Sequence, residues 1–244
     1  MQSRQAAWGG MVVVALTMTG VPALGQTTER VSIAASGSQP IGGRYLPRPS
    51  VSGDGTVVAF ESPLATLVAG DTNSVGDIFV VAAGATTRIS GLAGAQTNCT
   101  SQRPSVSADG RFIAFDSCAS NLVAGDANGT SDVFLLDRLS NTVTRLSVSS
   151  AEAEANGASF SATVSPNGQF VAFLTQATNL QGSIGVGTYV ALRDVVNGNT
   201  FIVSRATGAS GTLATSDVRP SVANNGTVAF ATPVRPCNVD KRGC

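Results

Sequence analysis

Hydrophobic and polar positions follow one pattern that occurs four times along this chain. Each copy has a short segment of small residues, an Asp-Gly or Asn-Gly turn, and an apolar segment that ends in phenylalanine. The copies are Arg48 to Phe60, Arg103 to Phe115, Ser161 to Phe173 and Arg219 to Phe230. Two such segments around such a turn predict a β-hairpin. The turn glycines fall at 55, 110, 168 and 226, so the hairpin recurs every 55–58 residues.

Two further apolar segments follow each of the first three hairpins. These segments are Asp77–Val81 and Thr87–Ser90, Asp132–Leu136 and Thr144–Ser147, and Thr188–Leu192 and Phe201–Ser204. Four short antiparallel strands repeated at a fixed period predict the blades of a β-propeller. Both faces of the strand Val57 to Phe60 are apolar, which is typical of a sheet packed between two neighbours. We therefore predict an all-β propeller of about four blades, forming a small or incomplete ring.

The first 25 residues have the features of a secretory signal peptide. Arg4 is their only charged residue, an apolar run spans 11–21, and Ala23-Leu24-Gly25 is a small-x-small cleavage site. A membrane anchor is the alternative, but the run is short and is followed by Pro22. We expect residues 26–244 to form the repeat domain of a periplasmic or secreted protein, with no membrane insertion after cleavage.

Charge and composition exclude several classes of function. The chain has 15 basic and 15 acidic residues, so its net charge gives no argument for binding nucleic acid. It contains no histidine. A Ser-His-Asp triad, a Cys-His pair and an imidazole zinc site therefore cannot be built from its own side chains.

The repeated motif resembles a known family. Pro-Ser-Val-Ser-x-Asp-Gly-x-x-x-Ala-Phe followed by Ser-Asp-x-Phe is similar to the TolB-like, WD-like propeller repeat of bacterial exported proteins, over nearly all of residues 30–232. This resemblance implies a propeller that acts as an interaction scaffold rather than an enzyme. The third copy departs from the pattern, because residues 180–187 replace the Asp/Asn-rich loop of the first two copies.

Two Asp/Asn-rich loops are candidate calcium sites. Oxygen-bearing side chains recur at every second position in each loop, and calcium binds six to eight oxygen ligands. The candidate ligands are Asp71, Asn73 and Asp77 in the first loop and Asp126, Asn128 and Asp132 in the second. The alternative is that these side chains form Asx-turns that stabilise a long hairpin loop.

Charged residues next to the hairpins form a second group of candidates. Arg48, Arg103 and Arg219 occupy equivalent positions and could bind an anionic group at the channel mouth; the alternative is that each is hydrated or paired with a nearby aspartate. Glu61 and Asp116 are also equivalent and could act as paired carboxylates in glycosidic chemistry. We favour the interpretation that these two acids are solvated strand ends.

Four cysteines remain for disulfides in an oxidising compartment. Cys99 and Cys118 lie at nearly matching positions on either side of the turn at Asp109-Gly110, so we predict that they are bonded. Cys237 and Cys244 would then pair by elimination. The acidic residues Glu152 and Glu154 are interpreted as part of a polar loop.

The leading functional hypothesis is a non-catalytic exported propeller that binds a protein or glycan partner. A carboxylate-based lyase or glycosidase on a propeller scaffold is the alternative, and an incomplete propeller without a function of its own is a third. Residues 30–35 resemble an outermost strand, and 219–232 form a hairpin without one. We therefore expect these two segments to meet and close the ring, whereas an open ring could self-associate through its unpaired edges.

Overall fold

The computed structural model describes residues 48–91, 95–204, 216 and 218–232, together with the backbone of two short strands, β1 (Val14–Ala15) and β2 (Glu29–Arg30). All regular secondary structure in these residues is β-strand. The remaining strands are β3 (Ser50–Val51), β4 (Val57–Ser62), β5 (Asp77–Ala82), β6 (Ala85–Arg88), β7 (Ser101–Val106), β8 (Phe112–Ser117), β9 (Asp132–Asp137), β10 (Thr142–Arg145), β11 (Ser159–Val164), β12 (Phe170–Thr175), β13 (Tyr189–Asp194), β14 (Asn199–Ile202), β15 (Ser221–Val222) and β16 (Val228–Ala229).

These strands form successive antiparallel blades in chain order. Blade 1 is β3-β4-β5-β6, blade 2 is β7-β8-β9-β10 and blade 3 is β11-β12-β13-β14, while the described part of blade 4 is the hairpin β15-β16. The all-β, propeller-type fold of about four blades is thus as predicted. Among the residues that the structure describes, no helix could cross a membrane.

In blades 1 to 3 the turn of the inner hairpin is closed by its own serine together with an aspartate or asparagine. In blade 2 the Ser107 hydroxyl donates to Asp109 at 2.5 Å and accepts the Phe112 amide at 2.9 Å. The bond from Ser107 is the main reason why the pKa of Asp109 is lowered. The equivalent pairs are Ser52–Asp54 and Ser165–Asn167. The repeated Ser-x-Asp/Asn-Gly sequence is therefore a turn-forming device rather than a binding motif.

The inner strands are linked directly through small polar side chains. Ser50 Oγ in blade 1 accepts the Val106 amide of blade 2 at 3.0 Å. Ser105 Oγ in blade 2 accepts the Val164 amide of blade 3 at 3.1 Å. Larger side chains at these serines would separate the strands, which explains the small residues of the first hairpin strand.

The inner strands of blades 2 and 3 are longer and less regular than the sequence predicts. The second copy of the motif starts at Arg103, but β7 begins at Ser101 and its register shifts between Gln102 and Ser105. Within this bulge Arg103 has a φ of 56°, and Ser161 has a φ of 55° in the equivalent bulge of β11. Proline is tolerated inside the strand because a bulge removes the need for its missing N–H.

Apolar layers fill the space between blades. All of β4 is buried, as expected for a strand covered on both faces. The layer between blades 1 and 2 contains Val57, Ala59, Ile78, Val80, Ile113, Phe115, Phe134 and Leu136. The layer between blades 2 and 3 contains Ala114, Val133, Leu135, Ala162, Val164, Val171 and Phe173.

The register of blade 3 corrects one sequence alignment. Ser62 pairs with Asp77 in blade 1 and Ser117 with Asp132 in blade 2, whereas Thr175 pairs with Tyr189 in blade 3. The comparison of the sequence repeats aligned Thr188 with these two aspartates. The structure places Tyr189 there, because the loop that precedes β13 differs from its counterparts.

The predicted disulfide between Cys99 and Cys118 is confirmed, with a Cα–Cα distance of 5.3 Å. It joins the start of blade 2 to the end of β8. The second predicted pair, Cys237 and Cys244, lies outside the described residues. The signal peptide also stays a prediction, since only the backbone pairing of Val14 with Arg30 and of Ala15 with Glu29 is described there.

Ring closure through residues 30–35 cannot be followed beyond Arg30, because residues 31–35 lie outside the described part of the chain. Arg48 and Glu61 of blade 1 are close enough to the Arg219 side chain of blade 4 to shift its pKa in opposite directions.

Replacing Gly168 by alanine should destabilise the protein by roughly 2–3 kcal/mol, because this turn has a φ of 75° and a Cβ would overlap the Phe112 ring of the preceding blade. Gly125 is the matched control: its φ is 74° and nothing lies within 4 Å of an added Cβ. Gly125→Ala should cost only about 1 kcal/mol of backbone strain. Urea unfolding measures both, and equal losses would show that the contact with Phe112 contributes nothing.

Candidate functional site

Five charged residues from blades 1, 2 and 4 converge where the inner strands meet. They are Arg48, Glu61, Arg103, Asp116 and Arg219, and together they are called the axial cluster. In blades 1, 2 and 4 an arginine comes just before the Pro-Ser-Val segment, and the second strand of blades 1 and 2 carries an acid. Repetition of the hairpin therefore brings equivalent residues to the common axis.

Asp116 is fully buried within this cluster. Its carboxylate receives Nε and Nη2 of Arg103 at 3.0 and 2.7 Å, in the fork geometry of a bidentate ion pair. It also accepts the Ser161 amide of blade 3 at 3.0 Å. Burial raises the pKa of Asp116, and the bonds from Arg103 oppose that shift.

Glu61 performs the same task one blade earlier. It is buried, and its Oε2 accepts the Arg103 amide of blade 2 at 2.5 Å. Arg103 and Ser161, the two residues whose amides are held, are the two that adopt positive φ in the bulges of β7 and β11. The interpretation of Glu61 and Asp116 as solvated strand ends is therefore wrong. Each acid bonds a strained backbone position of the next blade.

Blade 3 lacks this carboxylate. Leu174 pairs with Phe160, at the position where Asp116 pairs with Gln102 in blade 2. Arg219, the next residue in the series, is not among the positive-φ residues of the described chain. The left-handed bulge thus accompanies the acid and is absent where the acid is absent.

Arg219 instead extends its side chain across the axis. Its Nε donates to Ala162 O at 3.0 Å and to Thr163 Oγ1 at 3.0 Å, both in blade 3. Its Nη2 reaches Pro104 O of blade 2 at 3.2 Å. Burial lowers the pKa of Arg219, Arg48 and Arg103 lower it further, and Asp116 and Glu61 oppose the shift.

The three arginines predicted at the channel mouth thus lie in one cluster but differ in their surroundings. Arg103 pairs with Asp116, which matches the alternative of a structural ion pair. Arg48 is exposed, and within the described residues it forms no salt bridge. Binding of an anionic group by these residues stays a prediction.

The first candidate calcium loop is organised around an arginine. Arg88 Nη1 lies 3.5 Å from Asp71 Oδ1 and 3.7 Å from Asp77 Oδ2. Ser90 donates its hydroxyl to the other oxygen of Asp77 at 2.5 Å. Asn73 does not face the acids, since its amide donates to Thr97 O at 2.8 Å. Burial raises the pKa of Asp71, with Asp77 adding to the shift.

The second loop repeats this arrangement with one more acid. Asp126, Asp132 and Glu154 place carboxylate oxygens within 4.8 Å of one another. Arg145 Nη1 lies 2.5 Å from Glu154 and 3.6 Å from Asp126. Asn128 donates its amide to Asp132 and to Ala155 O. Burial raises the pKa values of Asp126 and Asp132.

Calcium binding by these loops stays a prediction, and an arginine competes with it in each loop. Calcium requires six to eight oxygens around an unoccupied centre, whereas a guanidinium already lies among the carboxylates of each loop. In blade 3 the aspartate position is Tyr189 and the arginine position, opposite Ala191, is Ile202. The acid and the arginine are lost together, which indicates that they form one structural unit.

The interpretation of Glu152 and Glu154 as a plain polar loop is also wrong. Glu154 pairs with Arg145 of blade 2, and Glu152 pairs with Arg193 of blade 3 at 2.5 Å. Sequence reasoning missed both arginines because each partner belongs to a different strand. The one available signal was the repeat itself, in which Arg88 and Arg145 occupy matching positions.

Several solved structures are similar to this chain. TolB from Acinetobacter baumannii is 19% identical to this chain over 84% of it and 42% of TolB, with a TM-score of 0.48. A structure described as a putative TolB from Agrobacterium tumefaciens is 19% identical over 65% of this chain and 49% of its own, with a TM-score of 0.43. The chain is similar to TolB. It spans less than half the length of either structure.

A puromycin-hydrolyzing peptidase from Mycobacterium tuberculosis is also similar, with 12% identity over 80% of this chain and 26% of its own and a TM-score of 0.46. No family model matches the chain, and no curated protein does. At these identities the likeness concerns the fold alone. The propeller-type architecture rests on the chain's own blades.

Asp116→Asn should reduce the free energy of unfolding by roughly 2–3 kcal/mol, because Arg103 would lose its charged, buried partner. The loss is smaller than for a fully buried ion pair, because the Arg103 side chain is partly exposed. The matched control is Asp137→Asn, which breaks the exposed Arg111–Asp137 pair of the same blade. That control should have a much smaller effect. Chemical unfolding compares them, and equal stability of the two variants would contradict a structural role for Asp116.

Arg145→Gln should convert the second loop into a weak calcium site, because Asp126, Asp132 and Glu154 would lose their shared cation. We expect calcium to leave the wild type unchanged and to stabilise the variant by about 1.4 kcal/mol at ten times the dissociation constant. Arg193→Gln, which leaves one exposed glutamate, is the control and should not respond. Thermal unfolding with and without calcium tests this prediction. Stabilisation of the wild type by calcium would contradict the idea that Arg145 occupies the place of a metal ion.

Proposed function

We propose that this chain is an exported, non-catalytic propeller that binds a protein or glycan partner at the end of its blades that carries the long loops. This loop end is formed by residues 63–76, 118–131 and 176–188, which connect the second and third strands of blades 1 to 3. At the opposite end, the described residues between strands are short hairpin turns. Loops held by a rigid scaffold are the usual place for binding residues in such folds.

The observation that supports a non-catalytic role is the use of the central acids. Glu61 and Asp116 are buried and accept backbone amides of the next blade, so neither is positioned to exchange protons with a substrate. The chain also lacks histidine. Asp71 and Asp77 lie near Arg88 in the first loop, and Asp126 lies near Arg145 in the second.

A carboxylate-based enzyme is the second candidate, and one observation favours it. Glu61 and Asp116 do converge at the axis, and burial raises the pKa of Asp116. Converging acids with a raised pKa are typical of acid–base catalysis. The bidentate pairing of Asp116 with Arg103 argues for the structural role, because the guanidinium already occupies both carboxylate oxygens.

Export is supported by the predicted signal peptide together with the Cys99–Cys118 disulfide, since disulfides persist in oxidising compartments. A periplasmic or secreted location is therefore part of the proposal.

Two exposed apolar residues give a matched test of the binding face. Val186 lies in the third long loop and Leu139 in a hairpin turn at the opposite end; they are 92% and 78% exposed. Immobilised protein is incubated with exported proteins of the host and with a glycan panel. We expect retention of a partner that Val186→Arg weakens and Leu139→Arg does not.

The enzyme is tested with the same preparations by assaying cleavage of oligosaccharide and uronide substrates. Turnover that Asp116→Asn abolishes, in a variant that remains folded, would overturn the scaffold proposal. If Leu139→Arg alone weakens partner retention, the partner binds at the end with the hairpin turns, which contradicts the proposal.

A further inference from the structure

An asparagine clasp joins the two chain segments that flank the first hairpin of blade 2. Asn98 lies before β7, and Ser120 and Asn121 lie after β8. The Asn98 backbone amide donates to Asn121 Oδ1 at 3.1 Å, while the Asn98 side chain donates to Ser120 Oγ at 2.9 Å and accepts the Ser120 amide at 3.1 Å. The Cys99–Cys118 disulfide joins the same two segments. The junction is therefore held in two independent ways.

Blade 3 has the same clasp without a disulfide. Asn156 makes the three equivalent hydrogen bonds to Thr178 and Asn179, at distances of 2.8–3.0 Å. The positions of the two cysteines are taken by Gly157 and Gln176. Hydrogen bonds thus close this junction in blade 3, and opening the disulfide should leave the equivalent junction of blade 2 closed.

The two sulfurs of the disulfide differ in access. Cys118 is exposed, whereas Cys99 is half-buried and packs against the apolar layer between blades 1 and 2. A thiolate that attacks a disulfide must reach the sulfur with which it bonds, so access selects the site of attack. Attack is therefore directed to Cys118, and Cys99 is the leaving group.

The exposed sulfur also lies where the proposed partner binds. Cys118 is the first residue of the second long loop, residues 118–131, which forms part of the loop end. A partner that contacts this loop brings its own side chains close to the disulfide. Exposed disulfides are the ones that undergo exchange most readily, whereas buried structural disulfides resist it.

We propose that Cys118 is a covalent attachment site for a thiol at the loop end, formed by thiol–disulfide exchange. The incoming thiolate bonds to Cys118 Sγ while the Cys118–Cys99 bond breaks. The electron pair of the broken bond remains on Cys99 Sγ, which then takes a proton from water. One disulfide replaces another, so the exchange consumes no oxidant or reductant. This inference rests on the proposed export and on the proposed binding at the loop end.

The experiment uses the whole folded chain and two thiol probes. Reduced glutathione represents a small thiol, and Ac-Ala-Val-Cys-Val-Ala-amide represents a cysteine of a protein partner. After incubation at about pH 8, where thiols are partly ionised, acid stops the exchange and a maleimide blocks the free thiols. Mass spectrometry of unreduced peptides then locates each modification and separates this pair from Cys237 and Cys244. Circular dichroism monitors the fold.

We expect the probe on Cys118 and the maleimide on Cys99 in the same molecules, with the reverse arrangement about tenfold rarer. The circular dichroism spectrum should not change, because the clasp keeps the junction closed. Adducts with both probes would assign the site to cysteines of a partner as well, whereas adducts with glutathione alone would restrict it to small thiols.

Cys99→Ser and Cys118→Ser are a matched pair of variants, since each leaves one cysteine of the bond. With glutathione disulfide, Cys118 in the first variant should react about tenfold faster than Cys99 in the second. In urea, which removes the fold, the two rates should become equal.

Modification mainly at Cys99, adducts that form only as the circular dichroism signal is lost, or a wild-type disulfide that exchanges with neither probe would each overturn the proposal. Its failure is distinct from failure of the scaffold function. If partner retention stays sensitive to Val186→Arg while Cys118 forms no adduct, the scaffold stands and the attachment site does not.

Discussion

The arrangement of the inner strands depends on one interaction: a backbone amide of one blade donates a hydrogen bond to a buried carboxylate of the blade before it. Glu61 holds the Arg103 amide and Asp116 holds the Ser161 amide, both at residues with left-handed backbone. Without the acid, each amide would be left without this partner at a crowded position, at a cost of about 1–3 kcal/mol. The acids therefore connect neighbouring blades and also fix the bulges that shape them.

This constraint also explains the unusual position of Arg219. Blade 3 has Leu174 where blades 1 and 2 have an acid, so it offers no carboxylate to the fourth hairpin at this position. Arg219 instead anchors to carbonyl oxygens of blades 2 and 3. A side-chain contact thus replaces a backbone contact.

The sequence predicts the parts of the fold that are local. Hairpins, strand order within a blade and the Cys99–Cys118 bond all follow from turn residues and from positions about one turn. The acids were misread because their partners lie 42 and 45 residues away, in the next blade. The calcium prediction stays a prediction, but the pattern of Asp and Asn did not reveal that Arg88 or Arg145 lies beside these side chains from another strand.

Repetition contained more information than the individual motifs. Asp77 with Arg88, and Asp132 with Arg145, are present together, while Tyr189 and Ile202 replace both in blade 3. Comparison of the copies by strand register, rather than by motif, would have paired the residues correctly. The one-residue difference before β13 is what obscured that comparison.

Native-state hydrogen exchange at the Arg103, Ser161 and Arg219 amides tests the central claim most directly. The account predicts that the Arg103 and Ser161 amides are as strongly protected as those of the neighbouring core strands, because each donates a hydrogen bond to a buried carboxylate. Arg219, which follows the blade that lacks the acid, should exchange faster. Equally fast exchange at all three amides would contradict the account.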